Sequence, residues 1–351
     1  MEVKMKTKKT LTLTACLFFI PLLALLLVAA LSTPTLAKSI ELSFASHVPP
    51  KAAPYVNAFI PWAKEIEKRT NGQVKIKFYV AQTLVKARDS YDAVKNGIAD
   101  ISWVMYSWTP GRFPLTSVME LPYLVKSTFA GANVLTKLFE KFPEMRAEVK
   151  DTHLLWSWTT MPYELHTVNK PIRTLEDIRG MKLATQPGAR AALEALGAVP
   201  VTMPTPNIYQ TVEKGVADGS ALAWGAFKAF KIYEVTNYHT DIHLAAMAYG
   251  TVMNKNTWNK LPKDAQKVIT EVTKEMMPYT NCAAVSAEKE VGKKIVRERG
   301  RKIYVIPPKE RARWIATAQP EADKWVKAME AKGLPGRAVL DEAQRLMKLE
   351  P

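Results

Sequence analysis

Tyr91-Asp-Ala-Val-Lys-Asn-Gly-Ile-Ala-Asp100 and Tyr209-Gln-Thr-Val-Glu-Lys-Gly-Val-Ala-Asp218 are two versions of one unit. Tyr, Val, Gly, Ala and Asp coincide, and Ile98 faces Val216. In each copy the Tyr and the Val lie three apart, on one helix face. Gly97 and Gly215 stand where a left-handed helix stop needs glycine. The Ala-Asp pair then leads into a strand. The copies are 118 residues apart, too far for a solenoid repeat. Two related α/β lobes account for them better than a helix–glycine–strand turn that arose twice.

Outward from the first copy, alternation predicts strands at Ile40–Ser46 and Val74–Val80, and a third strand is expected at Ile101–Met105. A helix is expected from about Pro54 to Arg69, and another over 127–149. His153–Thr160 reads as a tryptophan-rich strand. Around the second copy, Thr174 starts a helix, Met181–Thr185 is a strand and Arg190–Leu196 a helix. Lys263–Arg299 is long, helical and amphipathic, and a strand at Lys302–Ile306 precedes C-terminal helices. Strands alternating with helices imply an α/β protein with mixed sheets covered on both faces.

The N-terminus carries Lys4, Lys6, Lys8 and Lys9, then an apolar run from Leu11 to Leu31 and the small residues of Thr35-Leu36-Ala37. This is the pattern of a secretory signal peptide at 1–37, cleaved after Ala37. The run is also long enough for a retained anchor. Leu13-Thr14-Ala15-Cys16 resembles a lipidation site, but the strongest apolar stretch follows Cys16 and favours the later cleavage. Without residues 1–37 the charge falls from +16 to +13. That surplus reads as a solvated basic surface or as attraction for anionic solutes or lipid headgroups; an exported protein is a poor nucleic-acid binder. Cys282 alone would remain, so neither an internal disulfide nor a cysteine metal cluster is expected.

Further markers stand in order: Phe-Ala-Ser-His-Val-Pro-Pro (44–50), Glu-Leu-Pro-Tyr-Leu (120–124), Asn-Lys-Pro-Ile-Arg-Thr-Leu-Glu-Asp-Ile-Arg-Gly-Met-Lys-Leu (169–183), Ala-Leu-Gly-Ala-Val-Pro-Val-Thr-Met-Pro (195–204), Tyr233-Glu234-Val235 and Val252-Met253-Asn254-Lys255. Together they resemble the DctP-type solute-binding proteins of tripartite ATP-independent periplasmic (TRAP) transporters, from Leu42 to about Ile306. The resemblance implies a two-lobe, periplasmic-binding-protein-like fold. Its lobes would be joined by crossing strands and a long helix: lobe I from 38–160 with 250–305, lobe II from 161–249, and 306–351 packing on both. It also implies closure on a small organic acid and delivery to small and large membrane permease subunits. The long helix could support a homodimer. The rivals are a ligand-sensing module for a membrane receptor and an enzyme on a similar fold.

Two positions depart from the family. An arginine that would fork onto the solute carboxylate is replaced by Ala184, and an asparagine by Leu222. Arg190 is the nearest substitute cation. Trp103, Tyr106 and Trp224, near strand ends of the two lobes, are candidate walls, and Trp158 enters from the tryptophan-rich strand. Tryptophan is as readily core as wall, and Trp156 and Trp158 share a face. His47 ends the first strand and His166 lies near the hinge. Gln186 leads from the cleft strand into a turn whose N–H groups can face an anion. Gln82 and Tyr249 come from the other lobe. No motif for hydrolysis, nucleotide binding or metalloprotease chemistry is present, so no catalytic residue or cofactor is expected. His239 and His243 are four apart but sit outside a helical pattern, so no metal site is expected.

Overall fold

The paired unit has one structural job in both lobes of the computed structural model, which describes residues 39–351. The signal segment and Cys16 lie outside the described residues. Tyr91 and Val94 are fully buried, and Gly97 and Gly215 take the left-handed conformation at φ 76° and 68°. The aspartate that closes each unit then bonds the neighbouring parallel strand. Asp100 Oδ2 accepts from Ser43 N at 2.9 Å, and Asp218 Oδ2 accepts from Lys182 N at 2.8 Å. One element thus stops a helix, starts a strand and locks that strand's register to the next.

Five strands form the first sheet: β1 (Ile40–Ala45), β2 (Val74–Tyr79), β3 (Ile101–Met105), β4 (Thr152–Thr159) and β10 (Ala248–Asn254), in the order β2-β1-β3-β10-β4. Six form the second: β5 (Glu164–Thr167), β6 (Lys182–Thr185), β7 (Val199–Thr202), β8 (Gly219–Leu222), β9 (Tyr238–Asp241) and β11 (Ile303–Val305), in the order β11-β9-β5-β8-β6-β7. The parallel trios β2-β1-β3 and β7-β6-β8 correspond. In each, an antiparallel strand arriving from the other lobe continues the sheet. The strand at 303–305 pairs with β9, so it belongs to the second sheet and not to the first lobe, where the sequence pattern put it.

Three chain passages join the sheets: the long helical one between β10 and β11, and two short ones, between β4 and β5 and between β9 and β10. The short ones run side by side, with Thr160 N donating to Met247 O at 2.9 Å and Tyr163 N to Ala245 O at 2.8 Å. The helix Lys263–Glu298 spans both lobes. Trp62 Nε1 in the first lobe donates to its Thr273 Oγ1 at 2.9 Å, and Asp241 in the second pairs with its Lys293 at 2.5 Å. Pro278 sits inside this helix, which continues past it despite the lost N–H. The helix expected over 127–149 is two, Thr128–Lys141 and Pro143–Glu148. Phe142 is held extended because the following proline ring excludes the helical conformation there. Among the described residues no helix is long and apolar enough to cross a membrane.

Candidate functional site

Antiparallel pairing decides which side chains share the inner face of the first sheet. Tyr249 on β10 lies opposite both Met105 and Trp158, and Thr251 lies opposite Trp103 and Trp156. Directly opposed residues point to the same face. The result is an aromatic floor: Trp103 stacks on Trp158 with centroids 5.3 Å apart, and Trp158 on Tyr249 at 5.1 Å. Such offset stacks supply apolar area with little conformational freedom left to lose.

His47, two residues past the end of β1, closes one edge. Its ring stacks on Trp103 at 5.2 Å, meets Trp108 edge-on at 4.7 Å and lies parallel to Phe230 at 6.5 Å. A backbone clamp fixes this segment. Ala81 N donates to Val48 O at 2.9 Å and Gln82 N to Ser46 O at 3.0 Å, gripping the chain on both sides of His47. Ala81 and Gln82 both hold positive φ, 51° and 62°, a strained conformation for non-glycine residues. The strain is sustained where two hydrogen bonds and the Gln82 Oε1 bond to Ala87 N over-determine the loop.

The second lobe supplies the roof from the carboxyl ends of β6 and β8. Gln186 directly follows β6, and Leu222 ends β8. Gly225, Ala226, Ala229 and Phe230 line that side, and Val285 of the long helix packs so close to Gly225 that a Cβ there would lie 3.0 Å from it. These groups enclose a cavity of about 50 Å³. Benzene alone occupies a cavity of roughly 150 Å³, so any aromatic guest must part the lobes or turn a side chain. The placement, outside the carboxyl ends of strands of two α/β units, is where such folds hold ligands.

The cavity is polar only through neutral groups. Among the described residues no Lys, Arg, Asp or Glu lines it. Burial lowers the His47 pKa to about 3, which keeps the imidazole neutral. Its Nδ1 has no partner, nor do the indole N–H groups of Trp103 and Trp158, nor Gln186 Oε1. Gln186 Nε2 reaches the Thr205 hydroxyl, which can donate or accept, so the amide can present either end to a guest. Buried polar atoms without a partner call for an explanation, and in a cavity wall a bound guest can supply one.

Of the ten residues singled out from sequence, His47, Trp103, Trp158, Gln186 and Tyr249 meet here. The other five do not. Trp224 is interior: Nε1 donates to Asp241 Oδ1 at 2.9 Å, and its ring packs on His166 and Phe227. His166 is fully buried beneath it, with Nδ1 3.0 Å from His239 Nδ1 and Nε2 donating to Leu222 O at 3.1 Å. Burial holds its pKa near 4. Tyr106 points to the opposite face of the first sheet, where its hydroxyl meets Ser157 Oγ at 2.8 Å. Gln82 stands outside the cavity and holds the His47 loop through its backbone N–H and its side-chain oxygen. Arg190 begins a helix whose outer face it occupies, 62% exposed and paired with Glu194 at 2.8 Å, so it stands outside this cavity. His239 lies on β9, and His243 bonds Glu164 at 2.5 Å. Among the described residues no group of three potential metal ligands occurs.

Sequence reading missed Phe230, Tyr163 and Thr205, which line the cavity, and Glu120, which stands just outside it. Glu120 is buried and accepts from Ala248 N at 3.2 Å. Its carboxylate abuts Gly188 of the second lobe so closely that any Cβ there would collide with it. Burial raises its pKa to about 7.

Residues 45–328 match the family described as bacterial extracellular solute-binding protein, family 7 (DctP). The C4-dicarboxylate-binding periplasmic protein DctP of Rhodobacter capsulatus is 26% identical over 307 residues, covering 86% of this chain and 91% of its own. A TRAP solute-binding protein from Rhodoferax ferrireducens T118, solved with copurified benzoate, superposes with a TM-score of 0.84 at 27% identity, covering 89% of this chain and 98% of that one. A marine metagenome TRAP solute-binding protein specific for aromatic acid ligands, solved with 3-hydroxybenzoate, gives 0.83 and 27%, with 89% and 98% covered. The chain therefore belongs to the DctP family of bacterial extracellular solute-binding proteins.

Proposed function

We propose that this chain is the extracytoplasmic solute-binding subunit of a TRAP-type secondary transporter, and that its solute is an aromatic or partly apolar organic acid. The single observation that carries the solute class is the cavity lining: Trp103, Trp158, Tyr249 and Phe230 as walls, and no ionised side chain. Stacked indoles and a phenol favour a planar apolar body. The open N–H groups offer a place for its oxygen atoms. Leu222 presents a hydrocarbon where the family pattern has an amide, which favours the same class. A C4-dicarboxylate, carried by the Rhodobacter relative, would bring two charges into a cavity without a cation, a cost of many kcal/mol.

In this reading the protein closes on its solute in the periplasm and hands it unchanged to small and large membrane subunits. No side-chain pair in the cavity is placed for acid–base or nucleophilic chemistry, which supports binding over catalysis.

Thermal shift with the purified protein tests the solute class. Benzoate and 3-hydroxybenzoate should raise the melting temperature by mass action, about 2.7 kcal/mol of stabilisation at a hundredfold excess over Kd. Succinate should not. A shift with succinate and none with either aromatic acid would overturn the proposal. Recovery of unaltered benzoate after prolonged incubation checks that no reaction occurs.

A further inference from the structure

We propose that solute capture is coupled to uptake of one proton at His47, so that the imidazolium formed in the complex takes the place of the guanidinium that the family pattern has where Ala184 stands here. This rests on the organic-acid reading above and adds to it how a buried anion is neutralised.

The geometry leaves few alternatives. A carboxylate entering this cavity loses its water, and an unpaired buried charge is far costlier than any single contact can offset. Ala184 is fully buried and is not among the lining residues. Arg190 is turned away on the surface. Among the lining side chains only His47 can become a cation. It is 5% exposed, and its Nδ1 is open. Trp103 stacks on it with centroids 5.2 Å apart, within the reach at which a ring quadrupole favours a positive charge.

The free protein cannot use that charge. Burial alone accounts for the depressed His47 pKa of about 3. A carboxylate within hydrogen-bond reach acts in the opposite direction and raises it. The surrounding elements carry few competitors. Tyr249, 6.1 Å away and nearly parallel, is a phenol pushed above its ordinary range by burial, as is Tyr163 on the crossing passage. Glu120 stands behind both tyrosines. Lys51 is exposed, and Lys228 and Glu288 pair with each other at 3.8 Å outside the lining. Glu120 is the one other group placed to take up a proton, and the test separates it from His47.

Benzoate binding is measured by calorimetry in buffers of different ionisation enthalpy at pH 5, 6 and 7, for the wild type, His47→Gln and Glu120→Gln. The expected result is uptake approaching one proton per benzoate, with Kd weakening about tenfold per unit rise in pH wherever the pH lies above the His47 pKa of the free protein and below that of the complex. His47→Gln should bind more weakly with a flat pH profile, and Glu120→Gln should keep the uptake. Unliganded melting curves establish that each variant is folded. The wild-type proton count stands even if His47→Gln is not. Benzoate binding with no proton uptake overturns this inference and leaves the solute class standing. Uptake that survives in His47→Gln, or that disappears in Glu120→Gln, overturns the assignment to His47. Failure of benzoate and 3-hydroxybenzoate to bind at all overturns the solute class and this inference with it.

Discussion

Trp224→Ala separates a wall of the binding site from a strut of the second lobe. Trp224 is 1% exposed, and its indole N–H is bonded to Asp241, which also holds Lys293 of the long helix. The helix passes so close that a Cβ on Gly292 would lie 2.8 Å from the ring. Truncating a buried aromatic costs about 3–5 kcal/mol in lost transfer and cavity terms. Removing one donor from a buried carboxylate that keeps its lysine adds about 1 kcal/mol. With an unfolding entropy near 2.1 cal/mol/K per residue over residues 40–351, a total of about 4–6 kcal/mol lowers the melting temperature by roughly 6–9 °C. Far-UV circular dichroism melts with and without saturating benzoate give the answer. The unliganded melting temperature should fall by that amount, while the upward shift produced by benzoate stays close to its wild-type value. Trp224→Phe, which keeps most of the packing, should cost about 1–2 kcal/mol. If instead the unliganded Trp224→Ala protein melts within 2 °C of wild type and no longer responds to benzoate, the assignment of Trp224 to the interior is wrong.

Two further outcomes follow from the site. Burial raises the Glu120 pKa to about 7 from its ordinary 4.5, so the stability contributed by its protonated form is fully present below 4.5 and lost as pH rises through 7. Glu120→Gln should therefore gain about 2–3 kcal/mol on wild type between pH 5 and pH 8; urea denaturation at both pH values that shows a constant difference would refute this. Arg190 makes only an exposed i, i+4 pair with Glu194, worth about 0.3–0.5 kcal/mol. Arg190→Ala should leave benzoate Kd within twofold, and a tenfold loss by calorimetry would place the guanidinium on the solute.

What could be read from sequence was local and periodic. The strands Ile40–Ala45 and Val74–Tyr79 follow from alternation, and the left-handed glycines follow from the paired unit. These are determined within a few residues of chain. Trp224 and Arg190 failed for another reason. Each lies near the carboxyl end of a strand, but position along the strand does not say to which side the following turn sends a side chain. β8 exits toward the long helix, and Trp224 goes with it. Apolar core and apolar cavity also have the same composition, so an aromatic count cannot divide Trp103 from Trp224. One signal was available and unused. Ala223, Gly225, Ala226 and Ala229 put small residues at helical spacing, which marks a face approached closely by another body, and Phe230 follows directly.

The two family positions that changed, Ala184 and Leu222, gain meaning from the cavity. An arginine at 184 would bring a full positive charge and a five-donor fork into the second lobe. Its loss alone would leave a carboxylate stranded. Here it coincides with a lining free of acids, a neutral histidine caged by rings, and two indole N–H groups without partners. With the proposed proton on His47 the site balances one negative charge, because His47 is the one lining side chain that can become a cation. Each further carboxylate would need a second proton taken from neutral solution. A monoanion with an apolar body meets that limit, and a dicarboxylate exceeds it. The same lack of a cation that removes the family's usual anchor therefore narrows the solute class.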